Sequence, residues 1–266
     1  MSQAPGLGIP GILHTLREYL VFYSGLGLLA GVSLLWSVLA LPLRLVLPRR
    51  WRKQTGRWVI TMGFRMYLRA LSIMGACHFD LKALDTLRGE SPMIIAPNHP
   101  SLLDALMVIS RSPNLACIMK SELVDNVFFG AGARLAGYIR NDSLRSMICL
   151  AVEDLRRGSH LLLFPEGTRS NRLPIGTVRG SIALIAKEAR VPIQTVFIET
   201  ESAFLTKGWP FFRKPSMPIH YRIRLGQRFD PPTDVRGFTV ELERYFQSAL
   251  AEARLPPLSS MGARAP

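Results

Sequence analysis

Between Glu18 and Arg44 the chain carries no charged side chain, which leaves 25 uncharged residues, 19–43. Wound as a helix, such a run reaches ~37 Å, against ~30 Å for the hydrocarbon core of a bilayer. It is long enough to span a membrane, or to enter one leaflet and turn back. Buried helices of globular cores are normally shorter, and a cleaved secretory leader has a shorter apolar run and a more cationic start. Arg44, Arg49, Arg50, Arg52, Lys53 and Arg57 follow the run, whereas its preceding flank offers only Arg17 beside Glu18. This asymmetry predicts a membrane protein whose remaining chain lies on the cytoplasmic face of the inner (plasma) membrane.

The run divides the chain. Residues 1–18 read as an irregular, Gly/Pro-rich N-terminus, 19–43 as the membrane-embedded helix and 44–75 as a basic segment. One domain follows over 76–255, and 256–266 read as a disordered tail. In the basic segment Arg57, Thr61, Arg65 and Arg69 recur every four residues among Trp58, Met62, Phe64, Tyr67, Leu68 and Leu71. The pattern predicts an amphipathic helix with a narrow basic face, laid on the membrane with Trp51 and Trp58 as anchors. The alternative is a helix packed on the domain. Gly25 to Ala30 match a dinucleotide fingerprint on paper, but no strand precedes them and the match is discarded. Gly27 and Gly31 form a GxxxG that suits a helix partner.

Hydrophobic residues make up 48% of the chain, yet its formal net charge is +14. That charge must gather on some surface, which favours membrane lipids, phosphorylated ligands or nucleic acid. Nucleic acid ranks last, because the cations cluster beside the apolar run and not among aromatic stacking platforms. Cys77, Cys117 and Cys149 are widely spaced without a CxxC, and read as buried, reduced thiols. No metal site is expected: His14, His78, His160 and His220 are scattered, and there is no HExxH.

From Cys77 onward apolar runs alternate with helical patterns. Strands are expected at 78–81, 93–96, 115–119, 137–140, 160–164, 193–198 and 219–225. Helices are expected at 101–110, 125–135, 143–156, 178–189 and 239–253. The alternation predicts a single α/β domain with a mainly parallel sheet, preceded by the N-terminal membrane helix.

Two polar clusters interrupt this pattern. Asn98-His99-Pro100-Ser101-Leu102-Leu103-Asp104 follows an apolar strand and leads into a helix. Five residues of helix turn through roughly 140°, so His99 and Asp104 meet only if His99 lies in the bend before the helix, where Pro100 places it. An imidazole held by a carboxylate suits a general base that takes a proton from an alcohol near pH 7. Amides at the helix start are available for an oxyanion. The plainer alternative is a capped turn with a surface histidine. The second cluster, Phe164-Pro165-Glu166-Gly167-Thr168-Arg169-Ser170, emerges from another apolar strand. Gly167 permits close backbone approach, Arg169 offers a planar fork for phosphate, and Glu166 can accept from an alcohol. Its alternative is a polar loop held by a structural Glu–Arg pair. No GxSxG occurs, so Ser101 is a poor hydrolase nucleophile.

Together the two clusters resemble the lysophosphatidic acid (1-acylglycerol-3-phosphate) acyltransferase family, over roughly 93–200. The resemblance implies transfer of a fatty acyl group from an acyl thioester, on coenzyme A or acyl-carrier protein, to a lysolipid hydroxyl, with no further cofactor. It implies His99 as base and Asp104 as its orienter, with Glu166, Gly167, Thr168 and Arg169 holding the acceptor's glycerol and phosphate. Lys120 resembles the family's Lys before Glu-Leu and adds positive charge. Arg179-Gly180 and Val191-Pro192-Ile193 resemble two further blocks. Arg140 stands where the family carries a phosphate-binding arginine, but closer behind its glycine, Gly137. Phosphatidate formation leads among the implied reactions. Amino-acid lipids and glycolipid precursors stay open as acceptors, and so does a membrane lipid-binding protein without turnover.

Overall fold

Neighbouring residues of each central strand pack into opposite apolar layers. Ile95 and Leu162 belong to one, Ile94, Ala96, Leu161 and Leu163 to the other. This period of two is what a strand buried on both faces requires. The computed structural model describes residues 9–170 and 175–252. Its sheet has seven strands: β1 (Cys77–Asp80), β2 (Ile94–Pro97), β3 (Leu115–Met119), β4 (Ile139–Arg140), β5 (His160–Leu162), β6 (Ile193–Glu199) and β7 (Ile219–Phe229). They lie in the order β1-β7-β6-β2-β5-β3-β4. Only β6 and β7 pair antiparallel; the other neighbours are parallel. The α/β domain with a mainly parallel sheet is therefore as expected, with all seven strands in place and β7 four residues longer than anticipated.

One face of the sheet carries α2 (Arg49–Ile73) and α3 (Leu103–Ile109), through Leu68, Leu71, Leu103 and Met107. The other carries α6 (Leu144–Arg156), α7 (Ser181–Ala189) and α8 (Val235–Glu252), through Leu155, Ile182, Ile185, Leu242 and Phe246. Of the helix expected over 125–135, only the second half forms. A short α4 (Ser121–Val124) is followed by α5 (Gly130–Leu135), with Asn126 accepting from the Phe128 amide in the bend between them. Cys77 and Cys117 are buried, and burial pushes both thiols up to about 12. Cys149 corrects the expectation of three buried thiols: it is exposed on α6.

The N-terminal helix α1 (Ile9–Val46) starts well before residue 19, so 9–18 are helical where an irregular segment was expected. Residues 1–8 and the expected tail at 256–266 lie outside the described residues. Ile12–Val46 is long and apolar enough to cross a membrane. A buried stripe of Phe22, Gly25, Ser33, Ser37 and Ala40 runs down one side of it. Along that stripe Phe22 meets Phe204 edge-on at 6.0 Å, and Ser37 Oγ donates to the Phe128 carbonyl at 2.7 Å. The opposite side, with Leu13, Leu20, Leu35, Val38 and Leu45, is apolar and exposed. Gly27 and Gly31 face open space, away from the stripe.

Helix α2 inverts the expected sense of its basic face. Arg57, Thr61 and Arg65 point at the domain, and only Arg69 of the four is exposed. Arg57 is buried: it donates to the Ala136 carbonyl, Ser159 Oγ and Asp154 Oδ2, the last at 2.7 Å. Lys53 adds a second cation to Asp154 at 2.8 Å. The physical reason is that a guanidinium stays inside when a carboxylate answers its charge and a carbonyl and a hydroxyl accept from its other nitrogens. Trp51, Trp58, Met66 and Ile73 point outward instead.

Candidate active site

Strands β2, β5, β3 and β4 are neighbours and parallel, so their carboxyl ends open in that order along one edge. Ligands of open α/β sheets gather at such an edge. His99 stands two residues beyond β2, the 164–170 loop just beyond β5, Lys120 directly after β3, and Arg140 at the end of β4. One edge thus collects His99, the 164–170 loop, Lys120 and Arg140, whereas Val191-Pro192-Ile193 lies at the opposite edge, where β6 begins.

The turn after β2 is pinned from below. Asn98 Nδ2 donates to the Ile198 carbonyl at 3.1 Å, while its Oδ1 accepts from the Ile198 amide at 2.7 Å. His99 therefore leaves a fixed point. Its Nδ1 lies 2.8 Å from Asp104 Oδ2, and the Ser101 amide donates to the same oxygen at 2.7 Å. His99 stands in the bend before α3, as the contact requires, and Asp104 in the first turn. Asp104 is 0% exposed, and burial pushes its carboxyl up from the ordinary range. The His99 ring, the Ser101 amide and nearby Arg169 pull it back. With Nδ1 engaged by the carboxylate, Nε2 is the ring atom left to exchange a proton with a substrate.

The second cluster closes over the first. Phe164 stacks on the His99 ring at 3.8 Å, and the Ser170 amide donates to the His99 carbonyl at 2.9 Å. Gly167 takes a positive φ of 68°, and the Arg179 side chain occupies the space a Cβ would need. The Glu166 carboxylate is turned inward: it accepts from Ser170 Oγ at 2.5 Å and from the Gly176 amide at 2.7 Å. Glu166 thus holds the loop's shape. Arg169 forms no Glu–Arg pair with it; its Nη1 donates to the carbonyls of Leu205 and Thr206 at 2.9 and 2.8 Å. Thr168 makes one long contact, Oγ1 to the Arg169 carbonyl at 3.4 Å.

Lys120 is exposed. Arg140 is held by Asp125 and Asp142, each at 2.8 Å, so its charge is answered within the chain. The amides at the start of α3, offered above for an oxyanion, are already committed. Those of Ser101, Leu102 and Leu103 go to Asp104 Oδ2, the Leu205 carbonyl and Ser101 Oγ. Sequence reasoning missed the parts played by Asn98, Ser101, Phe164 and Tyr221. Ser101 is fully buried, with Oγ donating to the Phe204 carbonyl at 3.1 Å and lying 3.4 Å from the Tyr221 hydroxyl. Only the position of Asn98 and Ser101 on either side of His99 hinted at such roles.

An imidazole backed by a buried carboxylate, at the carboxyl edge of a mainly parallel sheet, has the geometry of a general-base site in an α/β protein. Residues 78–199 match the family model described as Acyltransferase. The 1-acyl-sn-glycerol-3-phosphate acyltransferase of Pseudomonas aeruginosa is 26% identical over 192 residues, covering 68% of this chain and 72% of that protein. The lyso-ornithine lipid O-acyltransferase of the same organism is 34% identical over 113 residues, 41% of this chain and 43% of that protein. The crystal structure of the 1-acyl-sn-glycerophosphate acyltransferase PlsC from Thermotoga maritima superposes with a TM-score of 0.64 at 20% identity. It covers 92% of this chain and 98% of its own, so the fold is shared. The stretch of this chain that matches the acyltransferase family model runs from β1 to the end of β6.

Proposed function

We propose that this protein is a membrane-bound enzyme that acylates a lysolipid, with 1-acylglycerol-3-phosphate the leading acceptor and phosphatidate the product. The observation that carries the reading is the His99–Asp104 pair at 2.8 Å within the family-matched region. An acyl thioester is already activated, so no covalent enzyme intermediate is needed. His99 Nε2 takes the proton as the acceptor hydroxyl attacks the carbonyl, and Asp104 stabilises the imidazolium. The thiolate leaves and receives that proton. Coenzyme A and acyl-carrier protein both supply such a donor. Lys120 and the remaining donors of Arg169 are the cations offered to an acceptor phosphate, and Gly167 and Thr168 line the approach. The apolar outer side of α1 supports membrane residence, and the cations that follow it support a cytoplasmic face.

A second reading has its own support. Arg140 is neutralised by Asp125 and Asp142, which leaves the edge less cationic than a phosphomonoester favours. A lyso-amino-acid lipid needs less positive charge, and the lyso-ornithine lipid acyltransferase is among the relatives. Purified protein in lipid vesicles, given labelled acyl thioester and a panel of lysolipids, tests both readings. Preferred acylation of lysophosphatidate supports the first, and preferred acylation of the amino-acid lipid the second. No transfer to any lysolipid would leave a lipid-binding protein.

A further inference from the structure

The connection from β6 to β7 ends in an aromatic tip that neither the sheet nor the His99 site uses. Phe211 and Phe212 stand at right angles, 5.3 Å apart, and are 49% and 70% exposed. The tip is a closed turn. The Arg213 amide donates to the Pro210 carbonyl at 2.9 Å, Trp209 Nε1 donates to the Arg213 carbonyl at 3.0 Å, and the Arg213 guanidinium lies 5.2 Å over the Trp209 ring. Two adjacent phenyl rings held in water by a shaped turn need a partner.

The tip is fastened at both ends. On one side Lys214 Nζ lies 2.5 Å from Glu18 Oε2 and 5.5 Å over the Tyr19 ring, and the Phe212 carbonyl lies 3.5 Å from the Tyr23 hydroxyl. That level of α1 exposes Leu16 and Leu20 as well, so the phenyl rings continue the outward apolar side of the helix. On the other side the same loop receives the catalytic turn. Ser101 Oγ donates to the Phe204 carbonyl, the Leu102 amide to the Leu205 carbonyl, and Arg169 to Leu205 and Thr206.

We propose that this loop is a second membrane contact, in which Phe211 and Phe212 enter the acyl boundary of a phospholipid bilayer beside α1. Exposed Lys207 and Arg213 meet anionic headgroups there. The occupant is lipid because the patch is continuous with α1 and carries aromatic rings flanked by cations, the composition of an interfacial anchor. The consequence is a site mouth held at the bilayer surface, where a lysolipid acceptor resides. The proposal rests on the membrane reading given above.

The test uses the full chain in vesicles of neutral and anionic phospholipid. A fluorophore on Phe212→Cys, in a Cys149→Ser background, should be quenched by brominated lipid and shielded from aqueous iodide. A fluorophore on native Cys149, across the sheet on α6, should show the reverse. Quenching of the Phe212→Cys probe by iodide alone overturns the proposal. Shielding from both quenchers, the pattern of a protein partner, overturns it as well. In a second measurement, the Phe212→Ser variant should raise the apparent KM for a vesicle-borne long-chain lysolipid about tenfold, the scale of one lost phenyl burial. Its rate on a dispersed short-chain lysolipid should not change. An unchanged KM on vesicles counts against the loop, whereas no acylation even by the wild type counts against the reaction and leaves the quenching result to decide.

Discussion

At the scale of single residues, the buried pair fixes what each substitution should do. His99→Ala removes the proton acceptor, and transfer should fall ~10²–10⁴-fold. Asp104→Asn should also slow transfer heavily, and the two losses should not multiply in the double variant if the pair acts as a unit. Rates at matched folded concentration check this. Stability should move the other way. Burial raises the Asp104 carboxyl, so its charge in the folded chain costs stability once the pH rises through the folded value, and costs nothing in acid. Asp104→Asn should therefore melt no lower than wild type at neutral pH, and its relative advantage should shrink as the pH falls from the raised folded value to the ordinary carboxylate range, and vanish below it. A melting series against pH reads this directly. His99 and Asp104 were legible in sequence because their meeting depends on one bend and one helical turn. Glu166 and Arg169 were not, since the groups that engage them, Ser170, Gly176, Leu205 and Thr206, are set by how two loops fold over each other.

Among the elements, α2 shows where a periodic pattern stops being informative. The four-residue recurrence of Arg57, Thr61 and Arg65 revealed a face but not which way it looks. The answer lay in Asp154, Ser159 and Ser110, far away in the chain. The strands were easier, because a run of apolar residues buried on both faces has little choice of surroundings. The Arg57–Asp154 contact joins α2 to α6 beside Asn114 and Ser159, which precede β3 and β5, and so locks the edge opposite to His99. Asp154→Ala would leave Arg57 buried and unanswered, at a cost of about 3–5 kcal/mol. Denaturant unfolding should show that loss, while the rate per folded molecule stays near wild type. Gly56→Ala should also destabilise, since its Cβ would sit 2.6 Å from the Ala136 backbone nitrogen, where α2 crosses the end of α5.

For the molecule as a whole, the expected attachment is apolar first and electrostatic second. Membranes washed in high salt should retain the protein, because salt screens surface charge but leaves apolar burial intact; release by salt alone would refute that order. The buried stripe of α1 has a practical corollary. Phe22, Ser37 and Ala40 are walls of the folded domain, so the helix is no tether that can be cut away to leave a soluble enzyme. A shortened chain lacking it would bare Leu71, Phe204 and the Phe128 carbonyl, surfaces that now have a neighbour. Solubilising the intact protein in mild detergent, with the helix left in place, is the route its architecture favours.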